Sequence, residues 1–328
     1  MKSRHGLRIL SALLILATTT AQPGRLVAGS WTGHSEPTPI VRGVDAGIRL
    51  EITADAYGHP LARGETAERY DKPSVALAAG AGVRFTVSVP TAGEYELAFD
   101  AATVDALFNR PEGQLRVDGD FPSHAARRVI FPVFYVDQVE TFPLDRYGNE
   151  ALPKQTQLVR WSTVALRDPG FRQATPSALD LSAGDHVFEL TLTAGQLYLG
   201  SAYLTSAVRA PAYADYLAAQ PGSTPAGHLV EIEAEHVTFK DATSIRPTSS
   251  RSVDVTPYDT NRLLLNTLGG DTWKHSGSTA YYAFEVPADG YYAVTLRALQ
   301  NVKSNFTVFR RITVNGEVPF AELYAVPF

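Results

Sequence analysis

The chain has 328 residues, 45% of them apolar, enough for two domains with ordinary cores. It carries 29 Lys and Arg against 34 Asp and Glu, a net charge of −5, which excludes an electrostatic footprint for nucleic acid or anionic lipid. Cysteine is absent, which excludes disulfides, Cys-rich zinc sites and a cysteine-borne lipid anchor.

Residues 1–28 read as a leader. Lys2, Arg4, His5 and Arg8 form a basic start, and Ile9 to Ala17 is an apolar run too short to span a bilayer. Small residues then offer cleavage after Ala21 or Ala28, and no later run reaches membrane length. The mature chain is therefore expected to be exported, extracellular or periplasmic, without lipid anchor or membrane insertion. Residues 29–47 are polar and Pro-containing, a disordered lead-in that holds Trp31.

Ordered sequence begins at Arg49-Leu-Glu-Ile-Thr-Ala-Asp55. Val87 to Phe99 (VSVPTAGEYELAF) alternates apolar and polar residues, turns at Pro90 and Gly93, and alternates again, which predicts a hairpin. Val117-Asp118-Gly119 supplies the residues of a type I′ turn. Arg128 to Val136 is an apolar strand interrupted by Pro132, and a long loop to Val159 holds Asp145-Arg-Tyr-Gly-Asn149. Trp161 to Leu166, Leu179 to Leu192 and Leu197 to Leu204 complete the strands of a β-sandwich over 48–207. Residues 208–228 read as a short helix around Ala212 to Ala219 and a linker, Gln220 to Gly227.

The hairpin is then written again. Phe284 to Leu296 (FEVPADGYYAVTL) repeats Val89, Pro90, Gly93 and Tyr95 as Val286, Pro287, Gly290 and Tyr292, a shift of about 197 residues. The same shift carries Val117-Asp118-Gly119 onto Val314-Asn315-Gly316, and Leu229-Val-Glu-Ile-Glu-Ala-Glu235 matches the opening Arg49 stretch. This predicts an all-β chain of two tandem jelly-roll sandwiches. The second, 229–328, is expected to be incomplete, because only 12 residues follow Gly316.

Val230-Glu-Ile-Glu-Ala-Glu235 with a Val-Pro-x-x-Gly-x-Tyr hairpin resembles the galactose-binding-like sandwiches, which include several carbohydrate-binding module families. Three further stretches resemble the N-terminal region of large extracellular solute-binding proteins of bacterial ABC sugar transporters. They are Asp145 to Gln155 with Trp161 and Leu166-Arg-Asp168, Leu265 to Trp273, and Arg310 to Phe320. The chain lacks a counterpart of their two-lobed binding region. The resemblance implies a carbohydrate ligand and, as partner, a downstream solute-binding region or membrane permease.

Sugar recognition needs a flat aromatic against the C–H face of the ring, with amides, carboxylates or Arg on the hydroxyls. Trp273 stands in a Gly-rich loop with Asn266, Asp271 and Lys274 nearby, and Trp161 begins a strand with Arg160 and Asn149 nearby. Each indole is as readily a core plug. Tyr147 and Tyr258 lie in polar loops as further platforms. Glu233 and Glu235 alternate, so on a strand both face one side, and the resemblance implies a structural Ca²⁺ there; a solvated face is the bland alternative.

No His-Glu-x-x-His, Gly-x-Ser-x-Gly or phosphate loop occurs, and Glu94 and Glu96 read as a solvated strand face. The chain is thus expected to be non-catalytic, with carbohydrate-recognition or support modules. The alternatives are accessory modules of a secreted glycan-degrading enzyme and a scaffold without ligand.

Overall fold

The computed structural model describes residues 8–16 (backbone only), 48–58, 72–104, 110–139, 141–220, 227–300 and 306–328. The lead-in with Trp31 and most of the linker lie outside the described residues. Among the described residues the fold is all-β with one short α-helix, as the sequence predicts. The chain forms two compact units: 47–207 with 231–284, and 1–46 with 208–230 and 285–328.

The first strand along the chain, β1 (Arg8–Leu16), belongs to the second of these units. The larger unit then runs through β2 (Arg49–Ile52), β3 (Val75–Ala78), β4 (Gly82–Val89), β5 (Gly93–Thr103), β6 (Glu112–Val117) and β7 (Val129–Ile130). It continues with β8 (Phe134–Asp137), β9 (Gln155–Leu158), β10 (Trp161–Ala165), β11 (Ala178–Leu181), β12 (Gly184–Ala194) and β13 (Gln196–Ser206).

Two antiparallel sheets face each other. One has the order β10-β5-β13-β2, with β11 also on β5 and β3 also on β13; the other has the order β4-β12-β6-β7. The alternation read from the sequence sets which side chains meet between them. Tyr95, Leu97, Phe99 and Ala101 of β5 point inward, as do Leu197, Leu199, Ala202 and Leu204 of β13. From the opposite sheet come Val83, Phe85, Val87 and Val89 of β4 and Phe188, Leu190 and Leu192 of β12. Phe85 and Phe188 lie opposite each other in register and stack with centroids 5.5 Å apart. The predicted break at Pro132 separates β7 from β8.

Residues 231–284 pack with 47–207, not with the chain's end, so the grouping in the structure differs from the expected boundary at 229. The reason is a set of long-range polar contacts. β14 (Phe239–Lys240) adds to β8, and Lys240 Nζ donates to both carboxylate oxygens of Asp137 at 3.0 and 3.2 Å. Arg110 donates to the Asp241 carbonyl at 2.8 Å, and Arg246 to the Pro153 carbonyl at 2.8 Å. β15 (Pro247–Thr248) pairs with β16 (Thr267–Leu268), and β17 (Ala280–Tyr281) with β14. The predicted opening strand at 229–235 does not form: the segment is coil ending in a turn, His236 N–H to Glu233 carbonyl.

The smaller unit contains α1 (Tyr213–Ala218), close to the predicted helix, with β18 (Gly290–Ala298), β19 (Phe309–Arg310) and β20 (Val326–Pro327). Tyr213 and Tyr216 pack their rings on Phe320, beside Val318, Leu323 and Val326. The basic-flanked apolar run expected to be a leader pairs as β1 along the whole of β18. No residue of β18 is fully buried.

The internal repeat is visible in bonds. Tyr95 donates its hydroxyl to the Thr91 carbonyl at 2.7 Å, and Tyr292 does so to Ala288 at 2.7 Å. Both predicted I′ turns have positive φ at their two central residues: 53° and 89° at Asp118-Gly119, 51° and 83° at Asn315-Gly316.

The Asp118 turn is also clasped. Its carboxylate accepts from the Val187 N–H at 2.8 Å and pairs with His186 Nδ1 at 2.6 Å. These bonds hold the Asp118 carboxyl below its usual range, and the Asp118 bond pushes the His186 imidazole up. A raised histidine stabilises the fold below about pH 6.5 and loses that contribution as pH rises through the folded value; a lowered aspartate contributes above about pH 4. Urea unfolding of His186→Gln should therefore show its largest deficit against wild type near pH 5.5 and a smaller one at pH 9. A deficit independent of pH would contradict the clasp. In the core, Phe188→Ala should cost about 3–5 kcal/mol and Val253→Ala, at a site 73% exposed, less than about 0.5 kcal/mol, by the same measurement.

Candidate functional site

Strand parity decides where Trp161 points. In β5 the odd residues fill the core, so Ala98, Asp100 and Ala102 belong to the outer face of the six-stranded sheet. Trp161 lies opposite Ala102 and Thr163 opposite Asp100, while Val164 packs against the core. Trp161 is therefore on the outer face. Tyr198 shares its row across Ala102, and Tyr203 stands two rows on, opposite Ala98, with the Asp100 row between them.

The centre of this face is Asp100, only 4% exposed. Its Oδ1 accepts from Thr163 at 2.7 Å, and its Oδ2 accepts from Tyr203 at 3.0 Å and from Lys72 Nζ at 3.2 Å. A buried carboxylate is tolerated because these donors replace its water. Burial, and then the Asp100 charge, pushes the Tyr203 phenol up to about 12, so it stays a donor. The register of β13 shifts between Leu199 and Ala202, and Gly200 lies in the shift. A Cβ there would stand 3.3 Å from the Trp161 ring and 3.2 Å from Asp100 Cβ. The missing side chain is what lets the indole lie close to the sheet. Trp161 Nε1 is enclosed and bonds to no protein group.

A second feature is a cleft of about 570 Å³ lined by Asp137, Val139, Thr141, Phe142, Glu235, His236 and Val237. Phe142 and His236 stack face to face, centroids 5.0 Å apart. Glu235 is 2% exposed, and its Oε1 has no hydrogen-bond partner. Burial, with the Glu233 and Glu150 charges adding to it, pushes this carboxyl up to about 7.

Several of the other residues expected at a site are engaged in structural contacts. Asn266, 4% exposed, accepts from the Ser250 N–H and donates to the carbonyls of Ser250 and Pro257, so its amide is spent holding a loop. Trp273 donates its indole N–H to Ser278 at 3.0 Å and packs its ring on Gly269. Asp271 and Tyr147 are exposed, and the Arg146 guanidinium lies 4.6 Å from the Tyr147 ring centroid. Asn149 bridges two loops, donating to Asp145 and accepting from the Leu263 N–H. Arg160 lies over the Phe239 ring at 4.0 Å. Glu233 is half-buried beside the turn that holds Glu235, and among the described residues no three His, Cys, Asp or Glu side chains gather at metal-binding spacing.

Sequence reading missed Asp100 and Tyr203, and also a Ser-His-Asp arrangement. His186 joins Asp118 through Nδ1 and lies 3.3 Å from Ser182 Oγ through Nε2. Nε2 also lies 3.0 Å from the Ser182 carbonyl, four residues back in the same hairpin. With Nε2–H donated to that carbonyl, the imidazole ties the turn and takes no proton from the hydroxyl.

No protein-family model matches the chain, and no curated protein matches it. Solved structures similar to it include a family 35 carbohydrate binding module from Clostridium thermocellum, 16% identical over 49% of this chain and 99% of that one, with a TM-score of 0.31. Another is the C-terminal family 6 module of a laminarinase from Zobellia galactanivorans, 13% identical over 48% and 100%, with a TM-score of 0.28. A third is a family 36 module of a xylanase from the hindgut metagenome of Trinervitermes trinervoides, 11% identical over 49% and 99%, with a TM-score of 0.29. Likenesses at this level carry nothing about ligand.

Proposed function

We propose that the chain is an exported, non-catalytic carbohydrate-recognition protein whose first sandwich offers a sugar platform at Trp161. The observation that supports this most is the position of the indole: outside the core, beside Tyr198, with a carboxylate network at its edge. A planar aromatic flanked by fixed polar groups suits the two faces of a pyranose, C–H on one side and hydroxyl on the other. The Asp100 network positions the platform. Lys72, Thr163 and Tyr203 hold the carboxylate, and the sheet around it, in one arrangement.

The larger architecture is open between two parents. In a sugar-transport protein the module would hold glycan for a downstream binding region or permease. In a secreted glycan-degrading enzyme it would be an accessory module. Among the described residues no helix is long and apolar enough to cross a membrane.

Titration calorimetry with a panel of neutral oligosaccharides tests the platform. Trp161→Ala should weaken binding by about tenfold or more, while Trp273→Ala leaves it within about twofold. Equal loss in both variants, or no binding of any oligosaccharide at millimolar concentration by the wild type, would leave only the scaffold reading.

A further inference from the structure

The cleft at Glu235 is distinct in composition from the Trp161 platform, and its charge selects a ligand class. One wall is apolar: Val139, Val237 and the stacked pair Phe142 and His236. The lining also includes Asp137 and Glu235. Asp137 is already neutralised, because Lys240, itself fully buried, donates to both of its oxygens. Glu235 is not neutralised. Its neighbours are the carboxylates of Glu233 and Glu150, and Glu150 is held by the Leu265 N–H at 2.6 Å. The cleft thus has a buried carboxyl with an unbonded oxygen, no free cation among its lining residues, and an aromatic face.

We propose that this cleft binds a primary ammonium group and, resting on the carbohydrate reading above, that its ligand is an amino sugar within a glycan. An anion would meet two acidic side chains, with only the Thr141 hydroxyl and the His236 ring to donate to it. A neutral hydroxyl could bond Glu235 but would bring no charge to set against its acidic neighbours Glu233 and Glu150, whereas a cation favours the ionised carboxylate. A bare divalent cation needs more oxygen ligands than converge here: no group of three metal-binding side chains occurs among the described residues. An ammonium supplies three N–H donors and the missing charge, and its carbon skeleton lies against Phe142, where a cation–π contact adds to the binding.

The experiment is titration calorimetry of the full chain, in chelator-treated buffer at low salt, with a fully deacetylated glucosamine tetramer and its N-acetylated counterpart. The amine form should bind about tenfold or more tightly than the acetylated form, and Glu235→Gln should reduce that preference to within about twofold. Trp161→Ala should weaken both forms without removing the preference, which separates this site from the platform. Phe142→Leu, on the opposite wall, should weaken the amine form alone by about threefold, and it carries the test if Glu235→Gln does not fold. Equal affinity for the two tetramers, or a preference that survives Glu235→Gln and Phe142→Leu, overturns the proposal. So does binding of calcium chloride alone that Glu235→Gln abolishes with no amine preference. Hexylammonium is the arm independent of carbohydrate: if it binds through Glu235 as tightly as the amine tetramer, the amino-sugar assignment falls and an ammonium site of another ligand remains.

Discussion

The architecture depends on how strand parity is kept through the long pair β5 and β13. Over 11 residues each, these strands present alternate side chains to the core, and a register shift lets Leu199 and Ala202 both stay inside. Without that shift, every β13 residue beyond it would be turned to the wrong face. The extra residues at the shift include Gly200, whose bare Cα makes the space that the Trp161 ring occupies. A device that preserves the core is therefore also the one that shapes the outer face. Its carbonyl is not wasted, since Tyr57 reaches from the core side to donate to Gly200 at 2.8 Å.

Two buried carboxyl groups show how differently the same group can be treated. Asp100 has three donors from three separate segments and serves as a rivet of the sheet. Glu235 is about as buried but has an oxygen with no donor, and its acidic neighbours raise its cost further. A satisfied buried carboxylate rigidifies, whereas an unsatisfied one stores free energy that a ligand can recover. The contrast separates a residue that positions a surface from one that waits on a partner.

Much of the fold was legible because it is local. A Gly or Asn required at positive φ leaves a plain mark, so both I′ turns and both Tyr-closed hairpin turns could be read from residues alone. The clean alternation from Trp161 to Leu166 favoured a core indole, but Val164 and Leu166 take the core parity and Trp161 the other. What was not legible is set by distant partners. Val230 to Glu235 alternates like a strand, but a strand needs a neighbour, and the segment finds none and ends in a turn. The attachment of 231–284 to the first sandwich rests on pairs such as Lys240 with Asp137, about a hundred positions apart, which no local pattern announces. Asn266 and Asn149 looked like ligand amides for the same reason, because the backbone groups that use them lie far off in sequence or across a loop.

The central claim is that ligand contact falls on the outward indole of Trp161. The most direct measurement is a proton–nitrogen correlation spectrum of the indole N–H signals, assigned by single Trp→Phe replacements and followed as a neutral oligosaccharide is added. The account predicts that the Trp161 signal moves in a saturable way and the Trp273 signal, bonded to Ser278, stays in place. Movement of Trp273 with Trp161 fixed would contradict it.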